Sequence, residues 1–467
     1  MRGARPDIRR SNGVDILVRG PARCNPEGFR QRYWLGVEMD TEKLDPTLTD
    51  PAPAGRTWYS SMSGRERRTF WGCFAGWSLD AFDVQLYSLA IPVLLTIGFL
   101  ADIKQAGLIG TAALLSSAVG GWVAGLLSDR IGRVRTLQLT VVWFAAFTGL
   151  SGLAMNADQL LAARTLMGFG FGGEWAAGAV LMGETVRARY RGRAIGTVQS
   201  GWAVGWAVAV LASTLVYTIF ANQVAWRVLF FLGVLPALVV VYLRRHVAEP
   251  EVRRQAAATG TTGRSGAGWR AIFSRQLIKR TAFCAMLCTG AQGGYYSLTT
   301  FLPQFLAKER GLKIYALGAT LILIIAGAFA GYLFGAWLTD KLGRRPALVV
   351  TAAAAFLMVI PMTALNLPTS VFTVLCFPLG FFGSAYFSGI GPALAEQFPT
   401  LSRGSGMGFS YNFGRGIGAL FPFLVGSLAA TVSLGLSIAI FAGGAYALMI
   451  IAALLLTETR GADLTQV

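Results

Sequence analysis

GLLSDRIGR, residues 125–133, returns as AWLTDKLGR at residues 336–344, a displacement of 211 positions that aligns Asp129 with Asp340, Arg130 with Lys341, Gly132 with Gly343 and Arg133 with Arg344. Each copy sits between two apolar runs, so the repeat places an ordered set of charges and a turn glycine between hydrophobic segments. Further matches keep nearly the same spacing: Pro92 with Pro303, Glu184 with Glu396, and Arg191-Gly192 with Arg403-Gly404. The second half of the chain therefore repeats the first in its loops as well as in its hydropathy.

Outward from these loops, residues 71–456 read as apolar runs of about 20 residues, the length a helix needs to cross a roughly 30 Å hydrocarbon layer. The 467 residues are 54% hydrophobic and only 14% charged, far from the quarter of charged residues usual in soluble domains. Period-2 alternation is absent, which excludes a membrane β-barrel. The runs predict an all-α polytopic membrane protein with helices over 70–97, 107–127, 135–154, 159–182, 193–218, 227–244, 280–306, 316–338, 346–365, 371–394, 405–429 and 433–456. Twelve transmembrane helices divide into two pseudo-symmetric six-helix bundles, 70–244 and 280–456. The Gly-, Ser- and Arg-rich loop 245–279 joins them. Residues 1–69 read as a polar, disordered tail without a signal-peptide core, residues 457–467 as a short second tail, and Met39 as an alternative start.

A net charge of +18 would suggest nucleic acid in a soluble protein, but the basic residues fall in alternate loops. Arg130, Arg133 and Arg135 share one, Arg187 to Arg193 the next but one, and the central loop holds many more. The positive-inside rule then makes both termini and the central loop cytoplasmic, in an inner membrane, with no nucleic-acid partner. Cys24, Cys73, Cys284, Cys288 and Cys376 form no metal or disulfide pattern. His246, beside Arg244 and Arg245, reads as a solvated residue past a helix end. Neither metal nor cofactor is expected, and no catalytic triad or phosphate loop points to an enzyme.

Ionisable side chains inside spans cost about 2.5–3.5 kcal/mol each at a helix centre, so they mark function by default. Here they are Asp80, Asp83, Arg164, Glu174 and Arg415. Asp80 and Asp83, three residues apart, share a face of the first helix. Arg164, entering from the opposite side on the fourth, reaches the depth of Asp83, so an ion pair is expected there, either permanent or released by protonation. Two neighbouring carboxylates in low dielectric make at least one a candidate proton carrier, with Glu174 a second. Gly168, Gly170 and Gly172 occupy more than one face of that helix, and some should admit a close neighbour. Arg415 has Ala203 as its repeat counterpart, so duplication does not account for it. Its guanidinium can hold a carboxylate in a two-pronged bond, with Tyr411 and Asn412 beside it. Gln199, Trp202, Gln292, Tyr295, Tyr296 and Tyr386 are further candidates to shape a cavity, although most such residues are ordinary packing.

The charged loop at Asp129, Arg130, Gly132 and Arg133, with its copy at Asp340, Lys341, Gly343 and Arg344, resembles the signature loop of the major facilitator superfamily. Ala336 stands in the copy where the leading glycine is usual. The resemblance covers essentially everything after residue 70. It implies alternating access with a latch at the cytoplasmic helix ends, to which Glu184 and Glu396 would contribute, and a site near the midplane between the repeats. Trp77-Ser78-Leu79-Asp80-Ala81-Phe82-Asp83, Gly172-Gly173-Glu174-Trp175 and Tyr411-Asn412-Phe413-Gly414-Arg415 resemble the branch of proton symporters for sialate, lactate or pyruvate and aromatic acids. That branch implies import of an organic acid anion with protons by a monomer. It carries the acidic pair onto Asp80 and Asp83, and the arginines onto Arg164 and Arg415. Rival readings are a sugar or polyol symporter, faintly suggested by Glu249-Pro250-Glu251 and Thr457-Glu458-Thr459-Arg460-Gly461 but lacking a paired-glutamine signature beside Gln292, and a nutrient receptor on the same scaffold. A drug exporter fits less well, because the fifth helix lacks a glycine-proline motif.

Overall fold

In a computed structural model, residues 59–131, 133–186, 194, 196–235, 237, 270–399 and 402–459 are described. Their regular structure is helical: α1 (Gly64–Thr96), α2 (Ile103–Ile131), α3 (Arg133–Ser151), α4 (Ala157–Thr185), α5 (Gly201–Ile219), α6 (Asn222–Leu232), α7 (Ile278–Thr299), α8 (Leu302–Lys308), α9 (Ile314–Leu342), α10 (Arg344–Ala364), α11 (Thr369–Ala385), α12 (Phe387–Gln397), α13 (Arg403–Gly418), α14 (Leu420–Leu428) and α15 (Leu434–Leu455). Every expected span has a helix at its place. Seven stretches among the described residues, one of them the tenth span Thr369–Gln397 taken whole, are long and apolar enough to cross a membrane by themselves.

Three spans are interrupted: the seventh between α7 and α8, the tenth between α11 and α12, and the eleventh between α13 and α14. Pro303 opens α8, where a residue without an N–H leaves the preceding turn one rung short. The first helix starts at Gly64, six residues before the expected 70, because Ser63 and Glu66 form a reciprocal capping box. Glu66 N–H donates to Ser63 Oγ at 3.2 Å and Ser63 N–H to Glu66 Oε2 at 2.7 Å. The preceding tail, 1–58, and most of the central loop lie outside the described residues.

The duplication seen in the sequence reappears in the packing. A Cβ built on Gly120 would fall 1.9 Å from Phe169 O, and one on Gly331 2.1 Å from Phe381 O. Gly168 meets Ala113 O at 2.0 Å and Gly380 meets Ile324 O at 1.8 Å. Second and fourth spans thus cross as eighth and tenth do, in contacts too close for any side chain. Gly170 turns instead to α3, 3.0 Å from Thr140 O, so the alternate glycines of α4 serve two neighbours.

Charged residues near the ends of the spans close helix ends. Glu309 accepts from the N–H groups of Leu434 and Gly435 at 2.6 and 3.1 Å, and Arg227 donates to Gly152 O and Ala154 O beyond α3. Large apolar side chains such as Leu215, Leu357 and Val374 face outward at 60, 62 and 71% exposure, an apolar belt of the kind a lipid surface covers.

The halves touch closely at the end of the bundle where α1 finishes and α2 begins. There Gly107 lies against Pro422 O, Gly426 against Ile103 O and Gly318 against the Thr214 hydroxyl.

Candidate functional site

Asp80 falls at the midpoint of α1 and Asp83 one turn further on, both buried. Arg164 reaches Asp83 from α4, with Nη1 3.5 Å from Asp83 Oδ2 and both side chains 2% exposed. The guanidinium also lies 5.5 Å from the ring centres of Tyr87 and Phe230, positions at which aromatic faces attract a cation. Gly233 and Thr148 close in on the carboxylate from the other side: a Cβ on Gly233 would meet Asp83 Oδ1 at 3.1 Å. The pair is therefore enclosed by four helices of the first half.

Arg415 lies about 18 Å along α13 at 1.5 Å per residue, close to mid-membrane, and is 1% exposed. Its guanidinium carbon stands 5.1 Å from the ring centres of both Phe171, on α4, and Tyr411, one turn back on its own helix. Nε donates to Gln292 Oε1 at 3.4 Å. Tyr296 donates to the same oxygen at 3.4 Å, while Gln292 Nε2 donates to Tyr411 O at 3.0 Å. Asp80 and Tyr296 lie within its electrostatic reach. Nη1 is buried without a hydrogen-bond partner among the described residues. A buried charged donor left unmade is costly.

Aromatic side chains run from α1 to Arg415. Trp202 packs between Trp77, at 5.0 Å, and Phe171, at 6.3 Å, and its indole N–H donates to the Tyr295 hydroxyl across the two halves. A narrow cleft with a cavity volume of about 30 Å³ runs between the halves, with Gln85, Ser88, Arg164, Phe171, Tyr295 and Tyr296 among its walls. Arg415 stands behind Phe171 and Tyr296 rather than on the wall itself.

Other candidates fall elsewhere. Tyr386 donates to Ala291 O at 3.1 Å and stacks edge-on against Tyr446, inside the second bundle. Asn412 donates to Gly408 O on its own helix and turns Oδ1 toward Gly121 on α2. Gln199 is half-buried just before α5. Glu174 and Glu184 lie on α4 with side chains outside the described set, as do the side chains of Asp129, Arg130 and Arg133 and the whole of Gly132.

The second charged loop is described in full. Gly343 has φ +102°, a conformation L side chains rarely adopt, and a Cβ there would strike the Glu458 carboxylate at 2.9 Å. Arg344 binds both oxygens of Glu396, at 2.8 to 3.0 Å, and lies 3.5 Å from Asp340. Glu458 accepts from the N–H groups of Arg344 and Arg345, capping α10, and the Thr459 hydroxyl donates to Glu396. Residues 457–459, expected in the tail, are thus docked on the bundle, because α10 starts on a glycine and has no capping side chain of its own. Lys341 lies over the Trp337 ring at 4.7 Å.

A profile of the Major Facilitator Superfamily matches residues 73–421. The chain belongs to this superfamily. A probable 4-methylmuconolactone transporter of Cupriavidus pinatubonensis is 40% identical over 404 residues, 86% of this chain and 93% of that protein. The cis,cis-muconate transport protein of Acinetobacter baylyi is 28% identical over 82% of this chain and 92% of its own length. Among solved structures, the inward-open xylose transporter XylE from E. coli superposes with a TM-score of 0.68 at 16% identity, over 85% of this chain and 97% of that one; this likeness speaks for the fold alone. The family and these relatives are membrane transporters of small molecules, not enzymes.

Phe171, Gln85, Ser88 and Tyr87 were not singled out by sequence reasoning. Gln85 carried a usable signal, an amide two residues beyond the acidic pair in an apolar helix. Phe171 carried none, since a phenylalanine among glycines reads as packing.

Proposed function

We propose that this transporter imports an organic acid anion together with protons across the inner membrane, by alternating access, as a monomer with both termini cytoplasmic. In this reading 70–244 and 280–456 are the moving bundles, 245–279 joins them, and the two charged loops latch their cytoplasmic ends. The observation that carries the reading is Arg415: a guanidinium buried at mid-membrane between two aromatic faces, with one nitrogen unengaged. A carboxylate of the substrate takes that nitrogen, and the flat walls of Phe171, Tyr411 and Tyr296 receive its apolar body. Trp202, Tyr295, Gln292 and, at the margin, Gln199, Asn412 and Tyr386 shape the surroundings.

Asp80 and Asp83 carry the protons, with Arg164 as the counter-charge and Glu174 as a further relay. A monoanion entering a negative interior is opposed by about 2.3 kcal/mol per 100 mV, which one accompanying proton cancels. The names of the relatives, for 4-methylmuconolactone and muconate, support an organic acid as cargo.

The test is binding of lactate, pyruvate, sialate, benzoate and cis,cis-muconate to the purified protein by thermal shift and calorimetry. Arg415→Ala weakens the acid that binds by about ten- to a hundredfold, the worth of a charge-assisted hydrogen bond. Equal affinity in a folded Arg415→Ala protein contradicts the assignment.

A further inference from the structure

The eleventh span fails at a defined rung. Pro422 has no N–H, so Gly418 O loses its partner and the ring pushes the turn open. The next rung would join Ala419 O to Phe423 N–H, residues four apart, but Thr111 of α2 stands between them. Its hydroxyl donates to Ala419 O at 2.6 Å and accepts from Phe423 N–H at 3.1 Å. One side chain from the first half thus takes the place of a backbone hydrogen bond in the second. Insertion into the ladder is a recognised cause of helix bending.

The surroundings let so short a side chain reach. Gly107, one turn before Thr111, would place a Cβ 2.5 Å from Pro422 O, and Gly426 would place one 2.7 Å from Ile103 O. Thr111 is 7% exposed and Ala419 fully buried, so the Ala419 carbonyl has no water as an easy substitute. Moreover Ala419 N–H donates to Arg415 O at 2.8 Å, so the bend begins on the turn that carries Arg415.

We propose that Thr111 is a clasp between the halves that closes the outer end of the transporter and, through the bend it props open, positions Arg415. When the halves part at this end, Thr111 withdraws, Ala419 O and Phe423 N–H pair with each other, and the bend between α13 and α14 narrows to the kink that Pro422 alone imposes. The inference rests on the alternating-access reading but not on the identity of the cargo or on proton coupling.

The experiment measures the opening at this end by electron–electron resonance between spin labels at Met155→Cys and Ser370→Cys, on exposed positions of opposite halves, in a Cys24→Ser background. The four described native cysteines are buried. Thr111→Val keeps the shape and removes both hydrogen bonds; it raises the long-distance population by about five- to tenfold, as expected for buried bonds of this kind. Thr111→Ser, which keeps the hydroxyl, stays within about twofold of the parent protein by the same reasoning. Pro422→Ala, which restores the missing amide, shifts the population the same way with Thr111 intact, so the result does not hang on one variant folding. Serine and valine variants shifting alike, or neither valine nor alanine variant shifting while the parent shows two distances, overturns the clasp. A single distance in every protein overturns both the clasp and the alternating-access reading.

Discussion

Arg164 and Arg415 face opposite situations with the same side chain. Arg164 has a carboxylate 3.5 Å away, whereas Arg415 leans on two aromatic rings and a shared amide oxygen. Removing the charge of Asp83 leaves Arg164 buried without its counter-ion, yet an amide keeps the volume. Asp83→Asn is therefore expected to abolish proton-driven accumulation while sparing exchange of labelled for unlabelled substrate, measured side by side in membrane vesicles. Accumulation that survives removes Asp83 from the coupling scheme. The buried charges Asp80, Asp83, Arg164 and Arg415 were legible in the sequence because ions are rare in apolar helices and conspicuous there. Thr111 was not. Thr289, Thr299, Thr351 and Thr363 each bond a carbonyl four residues back on their own helix, and nothing in the sequence sets apart the threonine that reaches across instead. Tyr386 and Asn412 are polar on expected cavity helices, and the sequence does not show that each donates to a backbone carbonyl within the second bundle.

Helices in this protein are brought together by glycine, and the side of each helix that bears it decides the neighbour. A Cβ on Gly172 would fall 1.7 Å from Ser117 O, while Gly444 has nothing within 4 Å. Gly172→Ala is thus expected to lower the thermal midpoint and the folded yield, with a cost of about 1–3 kcal/mol or more for an overpacked contact. Gly444→Ala is neutral or stabilising by up to about 1 kcal/mol, as alanine is favoured over glycine within a helix. Equal effects from the two would contradict the packing described. The twelve spans were readable from length and apolarity. Their interruptions were not, because Pro92, Pro361, Pro378 and Pro392 lie inside continuous helices whereas Pro303 and Pro422 mark breaks; tertiary partners such as Thr111 decide between the two outcomes. The start at Gly64 was written in Ser63-x-x-Glu66, a capping signal outweighed in the reading by the apolar run that begins later.

At the scale of the molecule, two copies of one six-helix plan have diverged where function is proposed to reside. Arg415 answers to Ala203, and Asp83 to Gly294 at the 211-residue offset, so each half brings a charge the other lacks: in the proposed reading, an acid switch in the first and an anion site in the second. The cleft between them joins both through Phe171 and Tyr296. Duplication made the architecture legible from a nine-residue loop, whereas the lining of the cleft, drawn from α1, α2, α4 and α7, needed the fold. The most direct test places the purified protein in liposomes containing a pH-sensitive dye, adds each acid of the panel outside without a membrane potential, and follows internal acidification. An acid that binds should acidify the lumen beyond the rate in protein-free liposomes, and Arg415→Ala should abolish the difference. Uptake of that acid without any accompanying acidification would contradict proton symport.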